Sequence, residues 1–218
     1  MVVEHRDRSE QDEDWQHLAS YGVERVFHHD CLIYTPNQSA DTLYLLQSGQ
    51  VSLYLLSSGG RVLTLQVVDA GQLFGHSVLA QSQMYDTFAE AVKAVQVVAV
   101  NREAMIAALE DRPQMALTLI ETLGQYRLRV SRRLDEVAFK SVPARLASLL
   151  LDMAASYADG QPSRLPHRTH QQLADMINAY RETVTKVINQ FRAAHILDID
   201  RSGITLLNLN RLRELAQG

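Results

Sequence analysis

The apolar residues of this chain change their period once, near residue 102, and that change limits the folds open to it. From about residue 24 to 101 they come in short runs rich in Val, Leu and Tyr: ERVFHHDCLIY, TLYLLQSGQVSLYLL, RVLTLQVVDAGQLFG and AEAVKAVQVVAV. Val51, Leu53 and Leu55 alternate, SG, SSGG and DAG punctuate the runs, and only residues 76 to 82 leave room for a short helical turn. Evenly spaced short strands with glycine corners predict an antiparallel β-roll or barrel of jelly-roll type. Beyond residue 102 the spacing becomes three or four, so the predicted class is α+β, with strands first and helices after.

Residues 102 to 139 read as helical, with Pro113 in the first turn of a long segment, QMALTLIETLGQYRLRVSRRLDEVAF. Leu119, Leu123, Tyr126, Val130, Leu134 and Val137 form a narrow apolar stripe. Such a stripe packs on the roll or zips two subunits together, and the charged remainder of so long a helix favours a homodimer. Pro143 marks a boundary, after which PARLASLLLDMAASY makes a helix ending in the loop ADGQPSRLP. Thr169 and Gln172 have the spacing of a capping box, and Asn178 tolerates the left-handed conformation needed for a tight turn. A second helix follows over about 180 to 194. ILDIDRSGITLL reads as two strands around Ser202-Gly203, and NRLRELAQ as a last short helix.

The formal net charge of -4 is unevenly spread: residues 140 to 218 carry 10 basic and 7 acidic side chains, the rest 11 and 18. Arg164, Arg168, Arg181, Lys186 and Arg192 face only Asp175 and Glu182 within residues 160 to 195. A small basic surface on an acidic molecule suits a site-selective polyanion binder, although it also fits a solvated helical face. The single cysteine, Cys31, excludes an internal disulfide and reads as a small core residue of an apolar strand. No run approaches the roughly 18 to 20 apolar residues of a membrane span. The start, MVVEHRDRSEQDEDW, lacks the apolar core of a signal peptide, so a cytoplasmic location is expected.

Two short helices with a three- or four-residue turn, followed by a hairpin, make a winged helix-turn-helix. In that motif the second helix enters the major groove by its N-terminal end. Arg181, Glu182 and Lys186 share its exposed surface, while Val184, Val187, Ile188 and Phe191 take the other side. An arginine pairs with guanine O6 and N7, and a carboxylate accepts from cytosine N4. Beside phosphates alone Glu182 would be repelled, so the three are read as base contacts to double-stranded DNA, with Thr169 and Thr183 as backbone contacts. The expected division is a polar tail over 1–16, a β-roll sensor over 17–110, a dimerisation helix over 111–140 and a DNA-binding domain over 141–218.

The whole chain resembles the cyclic-AMP receptor protein / fumarate-nitrate regulator (CRP/FNR) family, most closely in LADMINAYRETVTKVINQFRAAHILDI. The resemblance implies a cyclic-nucleotide-binding-like roll and a homodimer on a palindrome with half-sites similar to TGTGA. It also implies contact with RNA polymerase, with activation as the expected sign. It places Lys186 as a third base reader, Gln171 as a phosphate contact, and His170 where a basic residue is usual; Asn178 replaces the usual turn glycine, and Tyr180 a small polar residue. The family's nucleotide site pairs Gly-Glu with an Arg-Ser ten residues on; here Gly75-His76 and Asp86-Thr87 stand in those places. A carboxylate at the phosphate position has the wrong sign. Val130 also replaces the threonine that would meet the purine, although Ser131 is kept, so cyclic AMP is not the expected ligand.

One cysteine cannot supply the four ligands of an iron-sulfur sensor. Haem could use His76, or the pair His28-His29, whose side chains on a strand would point to opposite faces. A 2-oxoglutarate-like acid would want arginines near residues 86 to 90, and none is there. TFAEA and RETVTKVI resemble an effector-independent, stress-associated branch of the family, which implies a dimer competent without ligand and no cofactor. The alternative is an unidentified small effector. No phosphate-binding glycine loop, nucleophile motif or metal-ligand spacing supports an enzyme. A regulatory module acting only by protein contacts would leave Arg181, Glu182 and Lys186 unexplained.

Overall fold

The computed structural model describes residues 8–80, 84–156, 164–200 and 202–217. It contains two compact units: Leu65–Val130 with the chain up to Leu55, and Ser131–Gly218 with Leu56–Thr64.

The first unit opens with helix α1 (Arg8–Ala19), whose Trp15 and Leu18 are buried among Leu43, Val98, Met105 and Met115. Asp14 is buried beside them, with Arg112 Nε 2.9 Å away and the Thr118 hydroxyl donating to its other oxygen. This corrects the polar tail expected over residues 1–16. Two apolar side chains three residues apart are enough to dock a helix, and the charges around them hide the pattern. Residues 1–7 lie outside the described part.

Strands β1 (Val23–Phe27), β2 (Leu32–Tyr34), β3 (Thr42–Ser48), β4 (Gln50–Leu56), β5 (Val62–Asp69), β6 (Leu73–Phe74), β7 (Phe88–Ala91) and β8 (Val95–Asn101) follow. They form two four-stranded sheets, in the orders β1-β8-β3-β6 and β2-β7-β4-β5. The ladders of β1 and β3 on β8, and of β2 and β4 on β7, are antiparallel, as the period of two predicts. Leu46, Val51, Leu53, Phe74 and Val97 fill the space between the sheets, and Tyr34 stacks on Tyr85 at 3.8 Å. Burying a Leu or Phe in this way contributes about 1.5–3 kcal/mol relative to exposure. Cys31 is half-buried in the turn ahead of β2, where Asp30 has φ 61°, so it is not the core strand residue expected from its apolar neighbours.

After the strands come α2 (Arg102–Asp111), capped by Asn101, and α3 (Met115–Phe139). Pro113 lies in the turn between them, two residues ahead of α3 rather than within its first turn.

The second unit holds α4 (Val142–Ser156), β9 (Arg164–Leu165), α5 (His170–Ile177), α6 (Arg181–Ala193), β10 (Leu197–Asp200), β11 (Gly203–Leu206) and α7 (Leu209–Ala216). Leu146, Leu150, Leu173, Ile188, Phe191 and Leu212 form its core. The wing is a three-stranded sheet in the order β10-β11-β9, so Arg164 and Leu165 belong to a strand and not to the predicted loop. Gly203 makes that sheet possible: a Cβ there would sit 2.2 Å from the Leu165 carbonyl oxygen, and its φ is +153°.

Candidate nucleic-acid interface

The Thr169 hydroxyl accepts from the Gln172 N–H at 3.1 Å, and Gln172 Oε1 accepts from the Thr169 N–H at 2.9 Å. This reciprocal cap sets where α5 begins. Asn178 ends it in the left-handed conformation, φ 52° and ψ 54°, and α6 starts three residues later. The turn is held from α4: Arg145 Nη1 donates to the Ile177 carbonyl at 2.7 Å and to that of Asn178 at 3.4 Å.

Val184, Val187, Ile188 and Phe191 are buried and hold α6 down along one side. Arg181, Glu182 and Lys186 are exposed on the other, and Thr183 is half-buried between. Tyr180 at the N-cap makes no side-chain cap, leaving the first backbone N–H groups of α6 available to an anion. Arg164 lies 3.9 Å from Asp200, and Arg192 3.2 Å from Asp198. Of the five basic side chains read from the sequence, Arg168, Arg181 and Lys186 therefore have no carboxylate partner among the described residues.

The intended phosphate contacts are already engaged. Gln171 Nε2 donates to Asp175 Oδ1 at 2.7 Å, and His170 Nδ1 lies 2.9 Å from Thr185 Oγ1. At the wing, Asp200 Oδ1 accepts from the Ser202 N–H at 2.7 Å, from that of Gly203 at 3.0 Å and from the Ser202 hydroxyl. These bonds, those from Ser202 first, lower the Asp200 pKa.

In the first unit Gly75, His76, Asp86 and Thr87 line one cavity of about 260 Å³, with Tyr34 and Tyr126. The His76 ring stacks on Tyr126 at 5.1 Å, and its buried Nε2 has no hydrogen-bond partner among the described residues. Burial, and then the charge of Arg129, push the His76 pKa down to about 4, so the ring is neutral at pH 7. Asp86 accepts from the Ser77 hydroxyl at 2.9 Å and brings a carboxylate to the lining. Val130 and Ser131 do not line the cavity, contrary to expectation, because α3 meets it through Leu123 and Tyr126, a turn earlier.

A model of the Crp-like helix-turn-helix domain matches residues 144–215, and one of the cyclic nucleotide-binding domain matches residues 24–112. The chain belongs to the CRP/FNR family of transcriptional regulators. It is 28% identical over 181 residues to the global nitrogen regulator of Synechococcus elongatus, spanning 81% of this chain and 82% of that one. It is 29% identical over 180 residues to the transcriptional regulator SdrP of Thermus thermophilus, spanning 81% and 85%. The fold matches that of the c-di-GMP responsive global regulator CLP of Xanthomonas campestris with a TM-score of 0.80, at 19% identity over 89% of this chain and 98% of that one. The CRP/FNR membership makes this chain a DNA-binding transcription regulator.

CRP/FNR regulators typically form dimers, and here α3 has an apolar face different from the stripe read in the sequence. Leu119 is 5% exposed in the core of its own unit, and Leu123 and Tyr126 are half-buried and line the cavity. Val130 and Val137 are half-buried. The exposed large apolar side chains of α3 are Leu117, Ile120, Leu128, Leu134 and Phe139, of which Leu134 alone belongs to the stripe read in the sequence. A 25-residue helix with one face on its own roll and another in water carries two stripes, and periodicity alone does not say which is which. His29 pairs with Asp30 at 2.8 Å in the turn after β1, and no group of metal-ligating side chains occurs among the described residues. No helix among them is long and apolar enough to cross a membrane.

Proposed function

We propose that this regulator binds, as a cytoplasmic homodimer and without cyclic AMP, a palindrome with TGTGA-like half-sites, and activates transcription through RNA polymerase. The observation that carries the reading is the exposed Arg181, Glu182 and Lys186 on a helix whose opposite face is buried. Arg181 and Lys186 read guanines, Glu182 reads a cytosine, and Thr169, His170, Gln171 and Thr183 hold the backbone. Leu117, Ile120, Leu128 and Leu134 supply the dimer contact along α3.

Effector independence is supported by the cavity itself. A cyclic phosphate would meet the Asp86 carboxylate that lines it. The unpartnered His76 Nε2 favours a second reading, in which a small effector bonds to it.

Fluorescence anisotropy of the ligand-free protein against a TGTGA-N6-TCACA duplex and a scrambled control, at fixed salt, tests the proposal. Tight and selective binding is expected. Selective binding only after a ligand is added would transfer support to the second reading, and equal binding to both duplexes would defeat the half-site assignment.

A further inference from the structure

His170 opens α5, and Thr185 lies in the second turn of α6. The Thr185 hydroxyl donates to the Arg181 carbonyl at 2.9 Å, and the same oxygen lies 2.9 Å from His170 Nδ1. A hydroxyl has one proton. With that proton on the Arg181 carbonyl, the second contact is a hydrogen bond only if Nδ1 carries the hydrogen. The opposite arrangement, in which Thr185 donates to Nδ1, leaves two oxygens 2.9 Å apart with no proton between them and one bond where there were two. The resident state of His170 is therefore Nδ1–H.

In a neutral ring with its proton on Nδ1, Nε2 is a bare acceptor. Phosphate oxygens of the DNA backbone are acceptors too, so the neutral ring repels the group it stands closest to serving. The imidazolium alone, with Nδ1–H kept on Thr185, presents an N–H and a positive charge at Nε2. We propose that His170 holds a backbone phosphate only as the imidazolium, so that site binding takes up a proton from solvent at each half-site and tightens as pH falls. The inference rests on reading the α5–α6 surface as the DNA-facing one.

The surrounding charges favour this coupling. The titratable and charged side chains on the adjoining elements are His167 and Arg168 ahead of α5, Asp175 on α5, Arg181, Glu182, Lys186 and Arg192 on α6, and Arg145 and Asp152 on α4. Asp175 holds Gln171, and Arg145 holds the Ile177 carbonyl. Bound phosphates favour a cation at His170 by direct charge attraction. Protonation is thus easier with DNA bound, and linkage requires affinity to rise as pH falls through the range in which histidines charge.

Anisotropy titrations of the full chain on the TGTGA-N6-TCACA and scrambled duplexes, at fixed salt and from pH 8 to pH 6, test it. Wild type should gain about tenfold in affinity for the matched duplex, roughly threefold from the charge-assisted bond in each of the two half-sites. His170→Arg should bind tightly with a much flatter profile; the residual slope reports the other histidines, His167 and His195 among them. Thr185→Val removes the acceptor that fixes the tautomer, frees a neutral Nε2–H for the phosphate, and should bind more tightly than wild type at pH 8 with less pH dependence. Equal pH slopes for wild type and His170→Arg overturn the inference while leaving the DNA reading intact. Equal binding of both duplexes at every pH and in every variant defeats the site reading, and the inference with it.

Discussion

Arg145 Nη1 donates to the carbonyl oxygen of Ile177 at 2.7 Å, joining α4 to the end of α5 just ahead of the turn. The guanidinium is partly buried, which lowers its pKa from the usual arginine value without threatening its charge at neutral pH. It satisfies carbonyls that the end of a helix leaves open. Arg145→Ala should cost on the order of 2 kcal/mol in the stability of the second unit, measured by urea titration. It should also weaken matched-duplex binding, because α6 loses its fixed entry angle. Arg145→Lys keeps the charge but not the fork, so a variant as stable and selective as wild type would show that charge alone does this work.

Arg181→Ala should cost about 1–3 kcal/mol on the matched duplex and relax the preference at one guanine. Anisotropy on single-base variants of the half-site checks this. A uniform loss across all duplexes would make Arg181 a phosphate contact instead.

The two faces of α3 are separable by mutation. Ile120→Glu or Leu128→Glu should give monomers by light scattering with the melting temperature of the first unit little changed. Leu119→Ala should destabilise that unit by about 2–4 kcal/mol, as loss of a buried leucine does, and leave the protein dimeric. A monomeric Leu119→Ala with unchanged stability would restore the stripe read from the sequence.

Acid should unfold the first unit through His76. Its folded pKa lies near 4, below the usual 6.5, so the unfolded chain binds the extra proton as pH drops between those values. Stability from this group is complete above about pH 6.5 and falls by roughly 1.4 kcal/mol per pH unit below it, levelling off once the folded ring is protonated. His76→Phe keeps a ring beside Tyr126 without the proton. Thermal melts from pH 7 to pH 4.5 should show a shallower decline for the variant, and identical declines would remove His76 from the account.

The helix-turn-helix was legible because each of its signals is local. The Thr169–Gln172 cap, the left-handed Asn178 and the burial period of Val184, Val187, Ile188 and Phe191 need no knowledge of the rest of the chain. The elements that escaped depend on distant partners. α1 is pinned by Asp14 against Arg112 and Thr118, about a hundred residues on, and β9 is two residues long and exists only because β11 lies beside it. The commitments of His170 to Thr185 and of Gln171 to Asp175 were likewise invisible, since a motif names which residues stand near DNA but not which hydrogen bonds they already make.

The docking of α1 gives the molecule an optical asymmetry. Trp15 is the one tryptophan in the chain, and it is 3% exposed in the core of the first unit. Emission excited at the red edge of the protein band therefore arises from that unit alone, while the DNA-binding unit has tyrosines only. A tryptophan-detected melt reports the roll, a circular-dichroism melt reports both units, and their difference isolates the stability of the part that touches DNA without a label or a truncated chain.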